Sequence, residues 1–319
     1  MPKPSVSDAD LMRVFEEKGA AATARQFGLS QRNVYERRVR IEGRYRRQIV
    51  SPSLNRRTTR VGVAHPQRVG IEISDGIVLV GSDAHYWPGE ASTAHRAFVW
   101  ACKEFRPKAV ILNGDVIDAS SISRHPRIGW ENQPTVQEEV EAAQERLAEI
   151  EKAAFKAQKI WTLGNHDGRF ETRLATVAPE FANVFGIHLK DHFPLWEPCW
   201  STWVNGDSEH PVVIKHRFKG GIHAPHNNTM WAGCTMVTGH LHSAKVVPFT
   251  DYLATRYGVD TGCLADPDHR AFHYTEDSPK NWRSAFGVLT FYRGRLMMPE
   301  LVLVWDKSHV EFRGKLVKV

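Results

Sequence analysis

Four apolar runs in this chain end the same way. Residues 78–85 read VLVGSDAH, 110–118 read VILNGDVID, 160–167 read IWTLGNHD and 236–242 read MVTGHLH. Each run has the length of a buried strand, and aspartate, asparagine or histidine follows it at once. Near-continuous hydrophobic strands belong to sheets covered on both faces. Open α/β sheets place their ligands just beyond the carboxyl ends of such strands. The recurrence therefore predicts an α/β (α+β layered) domain whose strand ends converge on one polar site.

The segments between these runs fill in the layers. Residues 69–74 alternate, Asp75-Gly76 is a turn pair and 77–81 returns, which predicts a β-hairpin. A helix is expected over 92–105, with Phe98, Val99, Cys102 and Phe105 on one face. An irregular loop follows over 119–133. A long helix over 135–158 carries a stripe of Val140, Leu147, Ile150 and Ala154, and 159–163 is the next strand. A further helix is expected over 170–185. The second half predicts strands at 212–215, 235–239, 287–292 and 301–305, a short helix at 227–232 and a hairpin turn at Arg293-Gly294. The expected architecture is a two-sheet β-sandwich flanked by helices over 69–319, preceded by a small three-helix unit. Trp196, Trp200 and Trp203 suit either a core or a platform for stacked bases.

No run approaches the roughly 18 apolar residues that a membrane span needs, so no membrane partner is expected. The first ten residues contain no apolar signal region. Four cysteines (Cys102, Cys199, Cys234, Cys263) are scattered without a CxxC pair, which suits reduced, buried thiols and a cytoplasmic location.

The net charge of +6 is concentrated in one place. Residues 31–60 hold ten arginines against Glu36 and Glu42, a local charge of +8, which leaves −2 for the rest. A focused basic patch points to a polyanion. The same region reads as three helices within residues 1–50: one capped by Ser7 and ended by Gly19, one over 20–27, and one from Gln31 after a Gly28-Leu29-Ser30 turn. Ala24, Gly28, Leu29 and Val34 have the spacing of a helix-turn-helix, and the segment resembles the small units of phage repressors and transposases. That resemblance implies DNA as partner. Gln31, Arg32 and Asn33 would face base edges, while Arg37, Arg38, Arg40 and Arg44, with Arg46 and Arg47 beyond them, would meet phosphates. A helical adaptor for protein is the alternative. Such units commonly dimerise, so a homodimer is a possible state. Residues 51–68, polar and basic without periodicity, read as a linker.

The ligand-type residues at the strand ends are Asp83, His85, Asp115, Asn165, His216, His240 and His242. Mixed carboxylate, imidazole and amide donors suit manganese, iron or zinc better than magnesium or calcium. The glycines before Asp115, Asn165 and His240 are expected to let the backbone turn sharply. In order along the chain these residues form DxH, GDxxD, GNHD, a lone histidine after a strand, and GHxH. This pattern resembles the calcineurin-like metallophosphoesterase superfamily over about residues 77–245. The resemblance implies a two-metal phosphoesterase. Asp83, His85, Asp115 and His242 would hold one divalent ion, Mn²⁺ foremost. Asp115, Asn165, His216 and His240 would hold the other. Asp115 would be the shared catalytic carboxylate, and His166 would protonate or stabilise the leaving group. Asp118 and Asp167 would orient histidines. His216 departs from the pattern because Arg217, not glycine, follows it; His223 and His226 are its rivals. His125, in the loop after GDxxD, is a possible substrate contact. Joined to a helix-turn-helix, such a site suggests a DNA nuclease of phage or prophage type, in the host cytoplasm. A phosphatase or nucleotide phosphodiesterase localised by the N-terminal unit, and a DNA-binding or assembly protein with secondary hydrolysis, are the alternatives.

Overall fold

The computed structural model of the chain describes residues 6–45, 49, 65–123 and 132–319. His125, Arg46, Arg47 and most of the expected linker, up to residue 64, lie outside the described residues. The chain divides into two units: Met1–Ala64 with Glu180–Asn183, and His65–Pro179 with Val184–Val319.

The first unit contains helices α1 (Asp8–Lys18), α2 (Ala20–Phe27) and α3 (Gln31–Tyr45). Ser7 Oγ accepts from the Asp10 amide, and Asp8 and Asp10 face the positive end of the α1 dipole. Gly28 sits at φ +63°, the left-handed turn that only glycine adopts without strain, and Leu29 donates back to the Ala24 carbonyl. Ser30 Oγ accepts from the Asn33 amide and starts α3. Leu11, Phe15, Ala24, Val34, Ile41 and Ile49 form the core of this unit.

The second unit is built on two sheets. The strands are β1 (Val69–Ile71), β2 (Gly76–Gly81), β3 (Ala109–Leu112), β4 (Gln158–Thr162), β5 (Glu197–Cys199), β6 (Thr202–Val204), β7 (Val212–Ile214) and β8 (Thr235–Thr238). They continue with β9 (Lys245–Thr250), β10 (Thr255–Asp260), β11 (Ala285–Tyr292), β12 (Arg295–Leu296), β13 (Glu300–Val304), β14 (His309–Phe312) and β15 (Lys315–Lys318). The larger sheet runs β15-β14-β13-β11-β2-β3-β4-β5, with β12 on β11; the smaller runs β1-β6-β7-β8-β10-β9. From β2 to β5 the larger sheet is parallel.

Side-chain alternation sorts the core into two layers. Val78, Val80, Ile111 and Ile160 meet Val204, Ile214, Val237 and Val259 between the sheets. Leu79, Val110, Leu112 and Trp161 face the other way, toward helices α4 (Thr93–Phe105) and α5 (Val136–Ala153). Helix α8 (Ala224–Ala232) packs on the smaller sheet. All four cysteines are buried and free. Among the described residues no helix is long and apolar enough to cross a membrane.

Several sequence expectations need correction. The hairpin over 69–81 does not form: β1 pairs in parallel with β6, while β2 is a central strand of the other sheet between β3 and β11. Asp75-Gly76 is thus a passage between sheets, and the interior of β2 is buried on both faces. Helix α5 stops at Ala153, because Gln158 is already paired in β4. Helix α6 (Asp167–Val177) begins and ends earlier than 170–185; Ala178 precedes Pro179, which pushes it out of the helical region. Helix α8 begins three residues earlier than expected, with Pro225 in its first turn, where its missing amide is harmless. The four-residue helix α7 (Leu189–His192) was not expected.

Candidate metal centre

The ends of β2, β3, β4, β7 and β8 converge. Ligand atoms of Asp83, His85 and His242 lie within 4.8 Å of one another, as do those of Asp115, His216 and His240, and those of His85, Asp118 and His166. The Asp83 amide donates to Gly114 O and the His85 amide to Asp115 O, which ties the β2 loop to the β3 loop. Asp83, His85, Asp115, His240 and His242 all have φ between +41° and +72°. A non-glycine residue in this left-handed region is strained by about 1 kcal/mol or more, and such residues cluster at functional sites.

Each donor set is held from behind. His85 Nδ1 lies 3.1 Å from Asp118 Oδ1, and His216 Nδ1 lies 2.7 Å from Asn113 O. In the neutral rings these contacts leave each Nε2 as a lone-pair donor facing inward. Asp83 Oδ2 accepts from Ser82 Oγ at 2.5 Å and from the His240 amide at 2.8 Å. Asp115 Oδ1 accepts from the His166 amide at 2.8 Å, and its Oδ2 is 3.1 Å from His216 Nε2.

The residues fit a divalent cation on a specific observation. Of the ten buried side-chain atoms without a hydrogen-bond partner among the described residues, four are His85 Nε2, Asn165 Oδ1, His216 Nε2 and His242 Nδ1. Leaving one such atom unsatisfied costs about 1–3 kcal/mol. All four belong to residues of the sequence-derived ligand set, and a cation would satisfy them together.

The electrostatics agree. Burial alone would raise the Asp83 carboxyl, but His242 and His216 hold it at about 2. Burial would depress His216, but Asp115 and Asp83 lift it to about 10. Burial likewise opposes ionisation of Asp115, yet His216 and His166 keep it well below the usual carboxylate range. These carboxylates concentrate negative charge that a metal can neutralise in place of imidazole protons.

Of the three histidines considered for the lone position, His216 is buried within the cluster, whereas His223 is exposed at the start of α8 and the His226 ring packs on Phe249. Asp118 contacts two histidines, with Oδ1 2.7 Å from His166 Nδ1 as well. Asp167 does not orient a histidine. Its carboxylate accepts from the amides of Asp115, Val116 and Gly164 and from the Trp161 indole, so it shapes the β3 and β4 loops.

The glycines also act differently from the expectation. Gly114 does adopt a left-handed φ of +84°. Gly164 and Gly239 do not; they are required by close approach. A Cβ on Gly164 would lie 2.7 Å from Asp115 Cγ, and one on Gly239 would lie 2.6 Å from Asp83 Oδ2.

Sequence reasoning missed five contributors. Ser82 and Asn113 lie inside the motif runs, so their position beside the ligands was a usable signal. Arg169, whose Nη2 is 3.2 Å from His166 Nε2, had only its nearness to GNHD. Phe272, 5.2 Å from the His85 ring, and Trp282, 4.4 Å from the His242 ring, come from a segment with no motif at all.

The family model of the calcineurin-like phosphoesterases matches residues 77–260, more than half of the chain, and the protein belongs to that family. With its clustered aspartate and histidine donors it is a hydrolase that depends on divalent metal. Among solved structures it is similar to Vps29 from Entamoeba histolytica, both a single mutant and the wild type complexed with Zn²⁺. Each is 14% identical with a TM-score of 0.40, covering 76% of this chain and 99% and 98% of theirs. No curated protein sequence matches.

Proposed function

We propose that the protein is a two-metal phosphodiesterase that cleaves DNA, with Mn²⁺ as the working ion. The observation that carries the metal site is the convergence of six donors from four strand ends, three of them with an unsatisfied buried atom, as has Asn165 after β4. Asp83, His85, Asp115 and His242 would hold one ion, and Asp115, Asn165, His216 and His240 the other. Bound there, the metal pair supplies activation of water and neutralisation of phosphoryl charge. The protein's own groups do the rest. Asp118 holds the Nδ1 edge of the His166 ring through its carboxylate and its carbonyl, and Nε2, which accepts from Arg169 Nη2 here, would carry a proton to the leaving oxygen once substrate draws Arg169 away. Arg169 would take a phosphoryl oxygen and hold the substrate in line.

Support for DNA comes from the N-terminal unit, where Gln31, Arg32, Asn33 and Arg40 are exposed on α3. Three of the arginines expected to meet phosphates are paired within the unit. Arg37 and Arg44 both bind Asp8, at 3.0 and 2.9 Å, and Arg38 pairs with Glu42. This favours a second reading, in which the unit localises a phosphatase or nucleotide phosphodiesterase. A Mn²⁺ assay on labelled DNA and on bis-p-nitrophenyl phosphate across a salt series separates them. Cleavage of DNA that falls steeply with salt, beside a flat response for the small diester, supports the nuclease. Turnover of a monoester or nucleotide with DNA left intact overturns it.

A further inference from the structure

A cavity of about 350 Å³ opens beside His216, lined also by Leu163, Trp200, Lys215, Arg217 and Phe218. A second, of about 550 Å³, shares Trp200, Lys215 and Phe218 with it. This second cavity extends over the outer face of the smaller sheet, where Val213, Cys234 and Met236 form its floor and Trp203 and Arg68 its far wall. The two make one groove that starts at a donor of the metal centre.

The chemistry of the groove is unusual for a protein surface. Among the described residues no carboxylate lines either cavity. Trp200 and Phe218 are 44% and 45% exposed, large aromatic faces that a solitary domain normally buries. Cations stand among them: Arg68 lies 4.4 Å from the Trp203 ring, and Lys215 lies 5.9 Å from that of Phe218. Beyond the groove's edge, Lys219 lies 4.4 Å from the exposed Trp231. Aromatic faces interleaved with cations form the platform that binds unpaired bases and their phosphates together. Duplex DNA cannot use it, because its bases are already stacked on each other. A protein partner would satisfy the rings but would not need a surface without carboxylates running into a hydrolytic site.

We propose that this groove binds single-stranded nucleic acid, stacking bases on Trp200 and Phe218 and leading the strand to the metal centre. The proposal deepens the nuclease reading and rests on it for the identity of the site, but its test is binding without metal. The full chain, in EDTA, is titrated into a labelled eight-nucleotide oligothymidylate, the matching oligouridylate and a duplex of the same length. The double variant Trp200→Ala, Phe218→Ala is expected to lose about 10- to 100-fold in affinity for the single strands. Its affinity for duplex should not change. Unchanged affinity for both single strands, or an equal loss for duplex, overturns the proposal. Should the double variant fail to fold, Trp200→Phe is expected to keep the affinity. Lys215→Met should then flatten the salt dependence by about one phosphate contact, and an unchanged slope overturns the proposal. A chain that binds single strands through these residues yet cuts no DNA would overturn the nuclease reading and leave the groove standing.

Discussion

The two donor sets of the metal centre use the same residue types in different surroundings. Asp83, His85 and His242 are all buried, and both imidazoles lie edge-on to Phe272, with Trp282 against His242. Asp115 and His216 are equally buried, but their third member, His240, is exposed, and His216 borders the aromatic groove. The first set is fixed by aromatic packing as well as by polar contacts, such as that of His85 to Asp118. The second is fixed by polar contacts, such as that of His216 to the Asn113 carbonyl, and has one open side. Enclosure retains an ion, while openness lets substrate and exchanging metal approach. The difference predicts that the first set would hold its ion the more firmly and that the second would admit substrate.

Changing the residue that would serve both sets should have the largest effect. Asp115→Ala is expected to lower turnover of bis-p-nitrophenyl phosphate by at least about 10³-fold, equivalent to several kcal/mol of lost charge stabilisation. Bound metal, measured by elemental analysis, should fall with it; a full complement of metal would show that Asp115 does not join the sets. His166→Gln comes next, with a loss in turnover of about 10²- to 10⁴-fold and unchanged metal content. A fall in metal content would make His166 a ligand instead. Asp118→Asn, which leaves the rings of His85 and His166 without their carboxylate, should cost roughly 10- to 100-fold. The smallest effect bears most directly on the asymmetry. His240→Ala should raise the Mn²⁺ concentration for half-maximal activity by about tenfold and recover at saturating metal. His242→Ala should not recover, and equal recovery by both would remove the distinction.

The clustering at the candidate metal centre was legible because each of its residues follows a short apolar strand within a few residues, so local spacing carried long-range geometry. Asp83, His85, Asp115, Asn165, His216, His240 and His242 could be named as candidates without knowing which strands pair. Pairing itself was not legible. The alternation of 69–74 and the Asp75-Gly76 dipeptide satisfy every local rule for a hairpin, and only the competition of two sheets for β1 and β2 decides otherwise. Phe272 and Trp282 were invisible for a related reason: their role depends on a loop folding back across the site. The ion pairs of the α3 arginines were not legible either. Charge alone suggested phosphate contacts, whereas Arg37 and Arg44 are already satisfied by Asp8, 29 and 36 residues away in sequence.

The crowding around Gly114, Gly164 and Gly239 has a consequence for how sequences of this family can vary. In a library of all single substitutions, these three positions should stand as empty columns, since any side chain at all displaces His216, Asp115 or Asp83. Gly43, Gly70, Gly168 and Gly220, where an added Cβ meets nothing within 4 Å, should accept replacements freely. Selection on such a library would thus trace the outline of the metal centre through residues that never touch a metal.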